Sequence, residues 1–136
     1  MAKANESEAT LGRRGFYVQT IYKRKYGAME TSSRSVRIQG MVTSIRLEHH
    51  FWIVLEEIAL RDALTIPEML NRLYDESLEV GHDINNFTSF LRVCAMRYIG
   101  LQLAGDIPQR KDISIASLDA DAILRSEANR YRAAFQ

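Results

Sequence analysis

The chain has 136 residues, 46% of them apolar and 26% charged, with a formal net charge of +1. That is enough apolar material for one ordinary domain with extensions, and it excludes a wholly disordered protein. No apolar run approaches the ~18 residues of a membrane span, the start MAKANESEATLGRR lacks the apolar stretch of a secretory signal, and the lone Cys94 excludes an intrachain disulfide or a cysteine-based zinc site. A cytoplasmic protein is expected.

The near-neutral total hides an asymmetry. Residues 1–47 hold nine Lys and Arg against three acids, whereas residues 48–136 hold nine bases against fourteen acids. A basic first third ahead of an acidic body suits either a polyanionic partner or a solvated tail that binds nothing. Residues 1–34 form the arm. Its first twelve residues are small and polar and read as disordered. RRGFYVQTIYKRKYG then interleaves aromatics with bases. Phe16, Tyr17, Tyr22 and Tyr26 suit stacking on bases, with Arg13, Arg14, Lys23, Arg24 and Lys25 neutralising phosphates. An amphipathic segment packed on its own domain would show the same pattern. Ser32, Ser33 and Ser35 read as linker.

A core of residues 35–103 follows. Residues 42–47 alternate as one short strand, with Thr43, Ile45 and Leu47 on one face and Val42, Ser44 and Arg46 on the other. From 49 to about 61 the period becomes helical, and Phe51, Trp52, Leu55, Ile58 and Ala59 make an apolar stripe. Thr65-Ile66-Pro67-Glu68 is a capping-box start for a second helix, with proline tolerated in the first turn. Its stripe is Met69, Leu70, Leu73, Tyr74 and Leu78, and Gly81 ends it. Asn86 is a good N-cap for a third helix through Phe90, Leu91, Cys94, Tyr98 and Leu101. Residues 104–136 read as an acidic tail with a weak helix over about 117–133, either frayed or awaiting a partner.

A lone strand leaves backbone groups unpaired on both edges. Residues 35–39 alternate as well, but Gln39-Gly40 is a poor match to the favoured two-residue hairpin turns. The economical partner is a second copy, with two 42–47 strands antiparallel across a twofold axis. Ile45, Leu47, Phe51, Trp52, Leu55, Leu70 and Leu73 would then form a dimer core. Ser44 and Arg46 would appear twice on an exposed ribbon of a size that enters the DNA major groove.

The order strand, helix, short turn, capped helix in TSIRLEHHFWIVLEEIALRDALTIPEML resembles the ribbon-helix-helix DNA-binding proteins, the class of Arc and MetJ. It is especially similar to small bacterial members reading RSVRI…TSIRLE…FW, with a third helix opening like NFTSFLRV. The resemblance covers about residues 34–98. Asp62-Ala63 stands where the class often has Gly between the helices. The resemblance implies a mainly α protein, with one strand shared across a homodimer, a third helix and flexible extensions. It further implies a transcriptional regulator acting as a repressor. Val42, Ser44 and Arg46 would read base edges, and Thr43 would do so only in another register. Thr65 and Ile66 at the second helix start would hold a phosphate, which Glu68 opposes. Arg34, Arg37 and the earlier bases would add phosphate or minor-groove contacts, and the operator would be palindromic or tandem.

Other chemistries are poorly supported. Adjacent His49 and His50 point about 100° apart on a helix and rarely share an ion, even with His82 and Cys94 as further candidates. Trp52 falls at stripe spacing, and Cys94 reads as a small buried hydrophobe. No glycine-rich phosphate loop, carboxylate pair or Ser/His/Asp set is legible, so neither an enzyme nor a cofactor is expected. The rival reading is an interaction adaptor or antitoxin-like factor. It would dimerise through the core and engage a protein partner through the C-terminal tail or N-terminal arm.

Overall fold

The computed structural model describes residue 27 and residues 30–81 and 85–136. Its elements are β1 (Thr31–Ile38), β2 (Met41–Glu48), α1 (His49–Arg61), α2 (Ile66–Glu79), α3 (Phe87–Leu103) and α4 (Ala120–Phe135), with a 3-10 turn at Ile115–Ser117. The mainly helical, ribbon-then-helices architecture is the expected one.

The partner of the strand is different. β2 pairs antiparallel with β1 of its own chain, from Thr31↔Glu48 to Ile38↔Met41. The single strand shared between two copies is therefore replaced by a hairpin, and Ser32, Ser33 and Ser35 are strand rather than linker. Gln39 and Gly40 take φ of 49° and 81°, the left-handed pair of a type I′ turn. Glutamine there costs roughly 1–2 kcal/mol, and α2 offsets it. Gln39 N–H donates to Asn71 Oδ1 (3.1 Å), and Gln39 Nε2 donates to Asp75 Oδ1 (3.1 Å). Asn71 Nδ2 in turn donates to Arg37 O (2.6 Å). At the other end of the hairpin, Trp52 Nε1 donates to Ser32 O (3.0 Å). Residue propensities could not show this turn because tertiary contacts make it.

The core lies between the inner face of the hairpin and α1, α2 and α3. Ile45, Leu47, Trp52, Leu55 and Leu70, expected at a dimer interface, are at most 2% exposed within one chain. Phe51 and Leu73 pack half-buried against them. Each such burial is worth about 1.5–3 kcal/mol, and none requires a second copy.

The helix starts follow the sequence closely. Thr65 Oγ1 accepts from Glu68 N–H (3.3 Å), with Pro67 in the first turn, and Asn86 Oδ1 accepts from Ser89 N–H (3.0 Å). The last helix runs to Phe135 and is fastened to the rest: Glu127 pairs with Arg97 (2.8 Å), and Asp106 pairs with Arg130. The connection before it is clasped by buried Arg61, which donates to Ile113 O (2.9 Å), Arg110 O (3.0 Å) and Tyr98 Oη (3.1 Å). Tyr98 Oη donates to Glu57 (2.6 Å), which also accepts from Lys111 (3.1 Å). Burial opposes ionisation of Glu57, but these two donors outweigh it and hold its carboxyl below the usual value. Burial and the bond to Glu57 push the Tyr98 hydroxyl up.

The end of α1 is a Schellman motif: Leu64 N–H donates to Ala59 O (2.9 Å) and Ala63 N–H to Leu60 O (3.2 Å). Ala63 sits at φ 54°, where the motif favours glycine. Ala63→Gly is therefore expected to stabilise the protein by about 1 kcal/mol, read as a higher urea midpoint at unchanged slope. A lower midpoint would contradict the assignment.

Candidate nucleic-acid interface

Alternation along both strands sorts the hairpin into two faces. Val36, Ile38, Ile45 and Leu47 are buried inward; Thr31, Ser33, Ser35 and Arg37 from β1 and Val42, Ser44 and Arg46 from β2 are exposed outward. The register sets Ser33 opposite Arg46, Ser35 opposite Ser44, and Arg37 opposite Val42. The outward face thus carries four hydroxyls, two guanidinium groups and one aliphatic side chain, and by the same alternation Glu48, opposite Thr31, closes it at one end.

Neither arginine on this face is in an ion pair among the described residues. Arg46 donates from Nε to Thr31 Oγ1 (3.0 Å), which orients the guanidinium and leaves both Nη groups for a partner. Arg37 makes a long contact from Nη1 to Gly40 O (3.3 Å). Two carboxylates that belong to or contact the hairpin are already engaged. Glu48 takes Arg92 (2.9 Å); burial opposes its ionisation, but the hydrogen bond and charge of Arg92 together with a backbone hydrogen bond hold its carboxyl below the usual value. Glu56 takes Arg34 (2.9 Å). Arg37 and Arg46 thus remain as the cations of the outward face that no ion pair among the described residues takes up.

The sequence model of the ribbon-helix-helix domain matches residues 31–99. A solved structure, that of an uncharacterized protein from Bordetella pertussis Tohama I, is 44% identical, with a TM-score of 0.74 over 79% of this chain and 86% of that one. No curated protein matches the chain. The chain belongs to the ribbon-helix-helix family. Ribbon-helix-helix domains generally bind DNA as regulators and typically dimerise.

Val42, Ser44 and Arg46, expected as readers, lie together on the outward face of this ribbon. Ser33, Ser35 and Arg37 join them. Sequence reasoning missed that company, although the alternation of small polar residues with Val36 and Ile38 carried the signal. Thr43 is on the inner face, its hydroxyl donating to Met41 O (3.4 Å). Arg34 is also inward: it stacks over Trp52, 4.5 Å from the ring centroid, and pairs with Glu56. The expected phosphate contact is thus a strut of the fold. At the start of α2, the Thr65 hydroxyl already accepts from Glu68 N–H and Pro67 has no N–H, so Ile66 supplies the first-turn amide that remains. Arg13, Arg14, Lys23, Arg24, Lys25 and His82 lie outside the described residues. His50 is exposed and His49 half-buried, and no group of three or more His, Cys, Asp or Glu among the described residues could hold a metal ion. Cys94 is half-buried, which pushes its thiol up.

Arg34→Ala should therefore lower stability by about 1 kcal/mol, the scale of one exposed cation–π contact with one surface ion pair. Its duplex affinity should equal that of the unmodified protein. Denaturant unfolding alongside fluorescence anisotropy with labelled DNA checks both; an affinity loss at unchanged stability would return Arg34 to the interface.

Proposed function

We propose that this chain is a sequence-specific, duplex-DNA-binding transcriptional regulator of the cytoplasm, acting as a repressor, whose β1–β2 ribbon enters the major groove. The observation that carries this reading is the outward face itself: two arginines outside any ion pair among the described residues and four hydroxyls on a two-stranded ribbon, whose one acid, Glu48, is taken by Arg92. The major groove of B-DNA admits such a ribbon, whereas the deep, narrow major groove of an RNA helix does not. Arg46 donates both Nη groups to guanine O6 and N7, and Ser44 bonds to neighbouring base edges. Ile66 N–H and the basic residues of 13–25 supply sequence-independent phosphate contacts. A protein seated in the groove of an operator excludes other factors from it, which makes repression the direct outcome.

Arg46→Ala is expected to cost about 1–3 kcal/mol on a selected site and little on unrelated duplex. Removing residues 1–26 should weaken binding evenly across sequences and flatten its dependence on salt. Anisotropy titrations at several salt concentrations separate the two effects. Full, sequence-selective affinity in the Arg46→Ala protein would refute the reading.

The homodimer that accompanies this function is assigned to the helices, since β1 takes the place in the ribbon that a second copy's strand would have filled. The face offered is the groove of about 570 Å³ between α3 and α4, lined by Val93, Met96, Tyr131 and Phe135. Val93 and Met96 are each 59% exposed and Phe135 is 82% exposed. Arg92, Arg97 and Arg130 at its rim are neutralised by Glu48, Glu127 and Asp106. A patch that meets itself across a twofold axis must avoid like-charge repulsion, and this one does. Met96→Asp combined with Phe135→Asp should convert a sedimenting dimer to monomer at micromolar concentration with unchanged far-ultraviolet circular dichroism. A monomeric unmodified protein would end this assignment.

A further inference from the structure

The two strands of the ribbon repeat one another. Ser35 and Ser44 face each other directly in the ladder, and an antiparallel pair has a local twofold axis through such a position. That axis carries Ser35-Val36-Arg37-Ile38 onto Ser44-Ile45-Arg46-Leu47. Every outward residue in this stretch meets its own kind, and every inward aliphatic meets another aliphatic. Exposure follows the same symmetry: residues 34–38 and 43–47 both run half-buried, exposed, buried, exposed, buried. Arg37 and Arg46 are therefore equivalent positions, each two residues from the central serine pair but on opposite strands.

We propose that one chain carries a complete, quasi-twofold reading head for DNA, in which Ser35/Arg37 and Ser44/Arg46 address the two halves of a short inverted repeat. This rests on the DNA-binding reading above and assigns Arg37 as a second specificity-determining residue. Strand residues rise about 3.4 Å each, so the two arginines stand about 14 Å apart along the ribbon. At about 3.4 Å per base pair, that separates two guanine contacts, one on each DNA strand, by about four base pairs.

The symmetry fails further out, and the failure has a consequence. The same axis places Ser33 over Val42, a hydroxyl against an aliphatic side chain that is 65% exposed. Val42 suits a thymine methyl group, while Ser33 suits a hydrogen-bonding base edge. The inner positions of the site should read as an inverted repeat and the outer ones should not.

Selection from a random duplex pool with the full-length protein, followed by anisotropy titration of the selected duplex and its point variants, tests this. Arg37→Ala should lose about 5- to 150-fold of discrimination at one guanine only, and Arg46→Ala the same at the other. Arg37→Lys and Arg46→Lys should keep the salt dependence and still lose that discrimination, which separates base reading from charge. Circular dichroism confirms folding of each exposed-site variant. The proposal is overturned if Arg46→Ala erases preference at both guanines while Arg37→Ala erases neither, the pattern of two β2 strands from two chains. If the unmodified protein retains no duplex at low salt, the DNA-binding reading itself falls, a result distinct from unequal behaviour of the two arginines.

Discussion

A two-stranded ribbon has a period of two, so its pairing register decides at once which side chains reach the core and which reach solvent. In this protein everything downstream depends on the register that sets Ser35 against Ser44. A slip of β1 by one residue would withdraw Val36 and Ile38 from the core and drive Arg37 into it. The register is held at both ends from outside the ribbon. Trp52 on α1 donates to the Ser32 carbonyl, and Asn71 on α2 grips both the Arg37 carbonyl and the Gln39 amide. The helices that bury the inner face are thus the same elements that align the outer one, which joins stability to recognition through single side chains.

The distribution of charge follows from that geometry. The described part of the chain is rich in carboxylates, yet those that could quench the ribbon are committed elsewhere: Glu48 to Arg92, Glu56 to Arg34, and Glu57 to Tyr98 and Lys111. Glu48 and Glu57 keep their charge against the opposing effect of burial because their donors outweigh it. Both contribute stability above their unfolded pKa, and that contribution is lost as pH falls through the lowered folded values. These pairs tie β2, α1 and α3 together, and in doing so they leave Arg37 and Arg46 as cations outside any ion pair among the described residues. A near-neutral chain can present positive charge on one face where the acids that touch the hairpin are paired with other cations.

Parts of this were legible in the residues. The α2 start could be read from Thr65 and Pro67, and the α3 start from Asn86, because a capping side chain acts within three residues of itself. The apolar stripe of α1 and the inward positions Ile45 and Leu47 were equally plain, since helix and strand periods are local. The outward trio Val42, Ser44 and Arg46 followed from the same alternation. β1 was lost for two reasons. Its serines resemble a linker, and a Gln-Gly turn carries no hairpin signal of its own. The conformation of Gln39 is stabilised by Asn71 and Asp75, which lie 32 and 36 residues away. Arg34 was misplaced for the same reason: its partners Trp52 and Glu56 are remote in sequence, and only pairing with β2 turns it inward.

The sequence by itself determined the period of each element, the caps that start α2 and α3, and a ribbon-helix-helix order with Arg46 turned outward, all of which arise from contacts spanning a few residues. Tertiary structure alone decided which backbone completes the ribbon. An unpaired strand edge is satisfied equally well by its own chain or by another, and local chemistry does not distinguish the two. The choice was made by α1 and α2, whose Trp52 and Asn71 fasten β1 where a second copy's strand would otherwise lie. Arg37, expected to add a phosphate or minor-groove contact, thereby comes onto the face it shares with Arg46.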